Sequence, residues 1–360
     1  MSPPIYVTRP SLAPLDEYLP YLESIWESGV MTHNGPLVQR LEKDLCAYLD
    51  VPNVVCVANG TCALQLAMRA LGLAGEVITT PFTFIATANI IAWERCRPIF
   101  VDVDPDTWNL DPNRIEERVT ADTVAILPVH VFSAPCDTAG IQAIADRHGL
   151  RVIYDAAHAM AVNVGGCSVL RRGDVSAVSF HATKLFNTAE GGACVTDDDE
   201  LAERIRRMRF FGFDARKDIV DSGMNAKMTE VHAGLGLANL ARLDEVRENR
   251  REKYELYRAL LSAREDITFQ GYAPGEYNYS YMPVVFESEA LLLRVMDALA
   301  KEEVYPRRYF YPALNTVGVF EPQPELPVAE RIARTVLCLP LYDTLARGDI
   351  ERIAKLILSV

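Results

Sequence analysis

No stretch of roughly 18 apolar residues occurs in this 360-residue chain, which excludes a membrane-spanning helix. The opening MSPPIYVTRPSLAPL has no basic start followed by an apolar run, so it does not read as a secretory signal. Positive charge is scarce. Lys plus Arg number 36 against 49 Asp plus Glu, a formal net charge of −13, and that balance argues against a nucleic-acid partner. The eight cysteines contain no CxxC pair, so neither a zinc site nor a dense disulfide framework is expected. They read as reduced thiols of a cytoplasmic protein, and no metal is expected. No GK dipeptide marks a phosphate loop, and HExxH and GxSxG are missing. GLGLAN at 234–239 follows no strand and is no dinucleotide fingerprint. Internal repeats and low-complexity tracts are absent.

What remains is an ordinary globular composition, 49% hydrophobic and 24% charged, with a mean hydropathy of +0.04. Seven β-branched runs mark strands: VVCVA (54–58), EVITT (76–80), PIFVDV (98–103), TVAILPV (123–129), RVIYD (151–155), VSAVSF (175–180) and GACVT (192–196). Helix-length stretches separate most of them, which predicts a parallel-rich α/β sheet covered on both faces. The last two runs are close enough for one strand to be antiparallel. After Leu201 the pattern turns to long helices, then to YSYMPVVFE, SEALLLRVMDALAKEEV, VLCLPLY and DIERIAKLILSV, a smaller α+β unit. The boundary is placed near residue 240, giving domains 1–240 and 241–360.

Four segments carry chemistry. ANGTCALQLAMRAL (58–71) is a strand end, a tight turn and a helix start, where free N–H groups favour an anion. Gly60 would let a ligand approach the backbone, and Thr61 would cap the helix or donate its hydroxyl. In RVIYDAAHAM (151–160) Asp155 closes an apolar strand at the edge where α/β sheets bind ligands, or it caps the next helix. His158 follows one helical turn later, or is simply packed. In VSFHATKLFNTAEGGACVT (178–196) Lys184 follows a buried strand among small and apolar residues. Either it is a surface lysine, or it is desolvated into a nucleophilic amine able to form a Schiff base. In TTPFTFIATANII (79–91) alternation puts Phe82 and Phe84 on one face, as core residues or with one over a planar ring.

Together an anion cradle, a strand-end carboxylate, an aromatic ring and a shielded lysine suit pyridoxal 5′-phosphate. The chain resembles the nucleotide-sugar aminotransferases of the DegT/StrS type, within the fold-type-I pyridoxal-phosphate superfamily. The resemblance runs nearly end to end, through VMTHNGPLVQRLEKDLCAYLDV, NGTCALQLAMRALGL, TPFTFIATANII, PIFVDVDPDTWNLDP, PVHVFSAPCD, YDAAHA, SFHATKLFNTAEGGACVT, GMNAKMTEVHAGLGLANL and LPVAERIARTVLCLPLY.

The resemblance implies a large cofactor-binding domain with a mixed, mostly parallel seven-stranded sheet, plus a small C-terminal α+β domain. It implies that Lys184 holds the cofactor and shuttles the proton, while Asp155 pairs with the pyridinium nitrogen. His158, where many relatives have Gln, would sit beside the ring hydroxyl. Gly60, Thr61 and Ser179 would bind the phosphate, and Phe84 would stack on the ring. Asn225 would reach the phosphate of the other subunit of a homodimer. Thr32, Asn34 and the Arg307–Tyr311 stretch, with Tyr309, lie where relatives contact the sugar nucleotide.

Two departures bear on the substrate. Many relatives have GYNYRM where this chain has GMNAKM at 223–228, and the loop after the lysine is LFNT at 185–188. KLFNTAEGG with VYPRRYFYP resembles the subset acting on dTDP-linked 4-keto or 3-keto-6-deoxyhexoses, the dTDP-4-amino-4,6-dideoxyglucose type, with the 4-keto substrate preferred. The expected reaction moves an amino group from L-glutamate to that ketone. A ketocyclitol (inosose) substrate and a non-catalytic cofactor-binding regulator are the other readings. Lys184 speaks against the dehydratases of this fold, which carry His there. No single arginine stands out as the anchor of the donor carboxylate.

Overall fold

A computed structural model describes residues 3–272 and 277–360 of the chain. All seven N-terminal runs join one sheet. Its order is Asn53–Val57, Gly192–Thr196, Val175–Ser179, Arg151–Asp155, Thr123–Leu127, Glu76–Thr79, Arg97–Phe100. Gly192–Thr196 runs antiparallel to both its neighbours, and the other pairings are parallel. Every residue of Asn53–Val57 and Gly192–Thr196 is buried. That is why these strands read as unbroken apolar runs and not as an alternating pattern. The two faces feed different cores. Val54 and Cys56 pack with Leu41, Leu45 and Leu237, whereas Val55 and Val57 pack with Leu64, Ala67 and Ile205.

Connecting helices are started by side chains that occupy otherwise unpaired amides. Asn59 caps Gly60–Ala70, Asp137 caps Thr138–His148, Asp198 caps Asp199–Met208 and Thr229 caps Glu230–Leu240. The C-terminal unit holds a three-stranded antiparallel sheet with Met282–Phe286 between Ile267–Phe269 and Val336–Leu339. Glu289–Lys301 and Arg347–Leu358 share its core. The helix Leu243–Leu261 bridges the units: Leu243 packs in the large core, Tyr254, Tyr257 and Leu261 in the small one. The N-terminal strand Ile5–Tyr6 pairs with Val304–Tyr305.

Asp102 joins the units directly. Its carboxylate accepts the Val328 and Ala329 amides (3.1 and 2.8 Å) at the start of the helix Pro327–Thr335. Because six strands point the same way, the turns after Val57, Thr79, Leu127, Asp155 and Ser179 meet at one edge, beneath residues 281 and 307–310 of the C-terminal unit.

Candidate active site

That edge encloses a cavity of about 510 Å³. Of the expected site residues, Gly60, Thr61, Phe84, Asp155, His158, Ser179, Lys184, Arg307 and Tyr309 line it. The Lys184 ammonium is pushed down to about 8 by burial, with Asp155 opposing and Arg307 reinforcing the shift. Its Nζ donates to the Tyr281 hydroxyl at 3.1 Å. Burial pushes the Tyr281 phenol up, so it stays protonated.

Asp155 ends its strand as anticipated. Burial raises its carboxyl, opposed by hydrogen bonds and by the Lys184 charge. The Thr87 hydroxyl donates to Oδ2 at 2.7 Å and the Ala157 amide to Oδ1 at 3.1 Å. Thr87 lies in turn 2.8 Å from the Thr83 hydroxyl, so a short relay reaches the cavity wall.

His158 is held neutral by burial first and by Lys184 second. Its Nδ1 accepts the Phe132 amide at 3.1 Å, which assigns the ring proton to Nε2. The imidazole lies parallel to Phe132 and Phe310, with Tyr281 tilted against it.

The turn at Gly60 approaches Ser179 closely. A Cβ on Gly60 would come within 2.9 Å of Ser179 Cβ. Asn59 accepts the Cys62 amide through its side chain and the Ala63 amide through its carbonyl. Among the described residues this leaves the Gly60 and Thr61 amides without acceptors, beside Ser179, as a phosphate requires. Cradle, carboxylate and lysine therefore fit pyridoxal phosphate. No group of three or more His, Cys, Asp or Glu able to hold a metal occurs among the described residues.

One expectation needs correcting. Phe82 and Phe84 do not share a face. The strand stops at Thr79, and the chain turns before the helix Ile85–Trp93. Phe82 is fully buried edge-on to Phe132 and Phe310, while Phe84 is 54% exposed at the cavity.

Thr32, Asn34, Asn225 and Tyr311 do not line this cavity. Asn34 accepts from Arg209 (2.9 Å), Asn225 accepts from Lys227, and Tyr311 lies under the Arg308 guanidinium. The segment holding Asn225 meets the end of Asn53–Val57, with Lys227 bridging Val57 and Ala226 accepting the Ala58 amide at 2.8 Å. Thr87 and Tyr281 were not anticipated, while Phe310 lies within the expected Arg307–Tyr311 stretch. Tyr281 and Phe310 reach the site from the C-terminal unit, and only the aromatic density of YSYMPVVFE hinted at Tyr281.

A lysine with a lowered proton affinity, facing a buried carboxylate and an anion cradle on this sheet, defines a fold-type-I pyridoxal-phosphate transferase. The profile of the DegT/DnrJ/EryC1/StrS aminotransferase family matches residues 15–358, and the chain belongs to that family of pyridoxal-phosphate-dependent sugar aminotransferases.

A dTDP-4-amino-4,6-dideoxy-D-glucose transaminase of Shigella dysenteriae is 43% identical over 366 aligned residues, covering 100% of both chains. A protein of the same name from Escherichia coli is 39% identical, covering 99% of this chain and 98% of its own. The crystal structure of DesI in the presence of its TDP-sugar product superposes with a TM-score of 0.94 at 37% identity, covering 99% of this chain and 93% of that one.

Proposed function

We propose that this enzyme transfers the amino group of L-glutamate to C4 of a dTDP-linked 4-keto-6-deoxyhexose, releasing 2-oxoglutarate and an amino-dideoxy sugar nucleotide. The observation that carries the reading is the convergence of Lys184, Asp155 and the Gly60 turn on one cavity. Its substrate class rests on the whole-length similarity to transaminases named for such a product.

When bound, pyridoxal phosphate supplies an aldehyde to receive the amine and a protonated ring to accept the electron pair left on the substrate carbon. The protein's own groups do the rest. Lys184 is neutral in a useful fraction of molecules near its pKa of about 8, so Nζ can take the α-proton of glutamate and later return a proton to the sugar carbon. Tyr281 gives the free amine a fixed resting place. Asp155, whose ionised form the Thr87 hydroxyl and Ala157 amide favour against its burial, would hold a proton on the ring nitrogen. His158 would offer Nε2–H to the ring hydroxyl. The Gly60 and Thr61 amides and Ser179 would hold the phosphate, and Phe84 would cover the ring.

We assign the site to a homodimer in which Asn225 of one protomer serves the phosphate of its partner, and Thr32, Asn34, Tyr309 and Tyr311 serve the sugar nucleotide. Exposed apolar side chains support that reading: Met31 (51%) beside Thr32, and Phe211 (45%), whose neighbour Phe210 bridges to Asn225. The eight unpaired cysteines suit a cytoplasmic setting.

The test is product analysis. Purified protein is incubated with L-glutamate and, separately, a dTDP-4-keto-6-deoxyhexose, its 3-keto isomer and a ketocyclitol. Mass spectrometry and NMR should show 2-oxoglutarate and a 4-amino sugar nucleotide from the first. Amination of the 3-keto sugar or the cyclitol alone would replace the substrate, and no 2-oxoglutarate with any acceptor would refute the reading.

A further inference from the structure

Arg307 and Arg308 are neighbours with opposite surroundings. Arg308 is paired. Its Nη2 donates to Glu289 Oε1 at 2.6 Å and to the Arg334 carbonyl at 2.8 Å, and its guanidinium lies 3.6 Å from the Tyr311 ring centroid. Arg307 lines the cavity, 4.7 Å from the Tyr309 ring centroid, and among the described residues no carboxylate pairs with it. Its backbone is fixed: the Arg307 amide donates to the Cys338 carbonyl (3.1 Å), and the Cys338 amide donates back (2.8 Å). The strand Val336–Leu339 thereby sets where the side chain begins.

Arg307 is the one arginine lining the cavity among the described residues, and its charge is felt at Lys184. A guanidinium without a counter-ion, set against a ring and a fixed backbone, is prepared for a planar anion. The cofactor phosphate is provided for elsewhere, by the Gly60 turn of the N-terminal unit. The anion meant for Arg307 therefore arrives with a substrate. In the amino donor, the α-carboxylate is attached to the very carbon whose proton Lys184 removes. In the sugar nucleotide, the pyrophosphate is separated from C4 by the breadth of the sugar ring. Proximity to Lys184 thus selects the donor.

We infer that Arg307 anchors the α-carboxylate of the amino donor, and that it acts in the glutamate half of the cycle and not in the binding of the sugar nucleotide. This rests on the transaminase reading above.

The experiment compares wild type with Arg307→Met and Arg307→Lys, all loaded with cofactor. Glutarate, a dicarboxylate with no amine to react, is titrated by calorimetry. The two half-reactions are followed separately by the cofactor's visible absorbance: its loss with L-glutamate, and its return when the aminated enzyme meets the dTDP-ketosugar. Removing the fork should weaken glutarate and glutamate by about 30- to 100-fold. The ketosugar half-reaction should stay within about threefold of wild type, because the inference gives Arg307 no contact with the sugar nucleotide.

Arg307→Lys keeps the charge without the fork, and should lose about tenfold for glutamate only. It decides the matter if the Met variant fails to take up cofactor. Unchanged glutarate and glutamate binding, or equal damage to both half-reactions, overturns the inference. A wild-type enzyme that turns no glutamate into 2-oxoglutarate overturns the transaminase reading itself, an outcome distinct from either.

Discussion

Thr87→Val removes one hydroxyl and almost no volume, which isolates the relay behind Asp155. Thr87 is fully buried, and its hydroxyl is one of two donors to that carboxylate, at 2.7 Å. Without it, Asp155 keeps only the longer bond from the Ala157 amide at 3.1 Å, and Thr83 loses its partner. A hydrogen bond to a charged group contributes about 1.5–3 kcal/mol. If that stabilisation is needed to keep the ring nitrogen protonated, the rate of the glutamate half-reaction should fall about 10- to 150-fold.

The pH dependence has a definite sign. Burial already raises the Asp155 carboxyl, and Thr87 opposes that rise. Losing Thr87 pushes the carboxyl further up, so the acid limb of the rate profile moves to higher pH. Single half-turnovers with L-glutamate, followed by absorbance from acid to alkaline pH, measure both effects. Thr87→Ser retains the hydroxyl and should behave as wild type. A fully loaded Thr87→Val enzyme with the wild-type rate and an unmoved acid limb would refute the reasoning.

Three further outcomes are expected. Gly60→Ala places a Cβ 2.9 Å from Ser179 Cβ, so the turn must shift; cofactor affinity by equilibrium dialysis should fall about tenfold or more, from a phosphate cradle with weakened hydrogen bonds. Asp102→Ala strips two amides at the start of Pro327–Thr335 of their acceptor, and chemical denaturation should report a loss of about 1–2 kcal/mol. In the cofactor-free protein Lys184 titrates near 8 against an ordinary 10.5, so its burial cost applies below pH 8 and is relieved as pH rises through that window. Between pH 8 and 10.5 the wild type should gain stability relative to Lys184→Met, by up to about 3 kcal/mol.

The sheet was readable because strands buried on both faces leave continuous apolar runs, and Gly192–Thr196 betrayed its reversal by its short connection. Lys184 and Asp155 were readable for a related reason: Asp155 ends such a run, and Lys184 follows one on the next turn. Local periodicity failed at Phe82 and Phe84, where the strand had already ended.

Tyr281 could not be found from its neighbours. It meets Lys184 across 97 residues of chain, through the packing of one unit on the other. Thr87 looked like an ordinary helix residue until Asp155 was seen beneath it. Thr32, Asn34 and Asn225 carry motifs of the family yet do not line the cavity, which no local pattern in the sequence could tell.

The most direct test is to load the protein with pyridoxal phosphate, reduce it with borohydride, and map the modified peptide by mass spectrometry. The pyridoxyl group should be found on the lysine of the SFHATKLFN segment, Lys184, and should vanish in Lys184→Met. Label on another lysine, such as Lys227, or no label at all, would contradict the account.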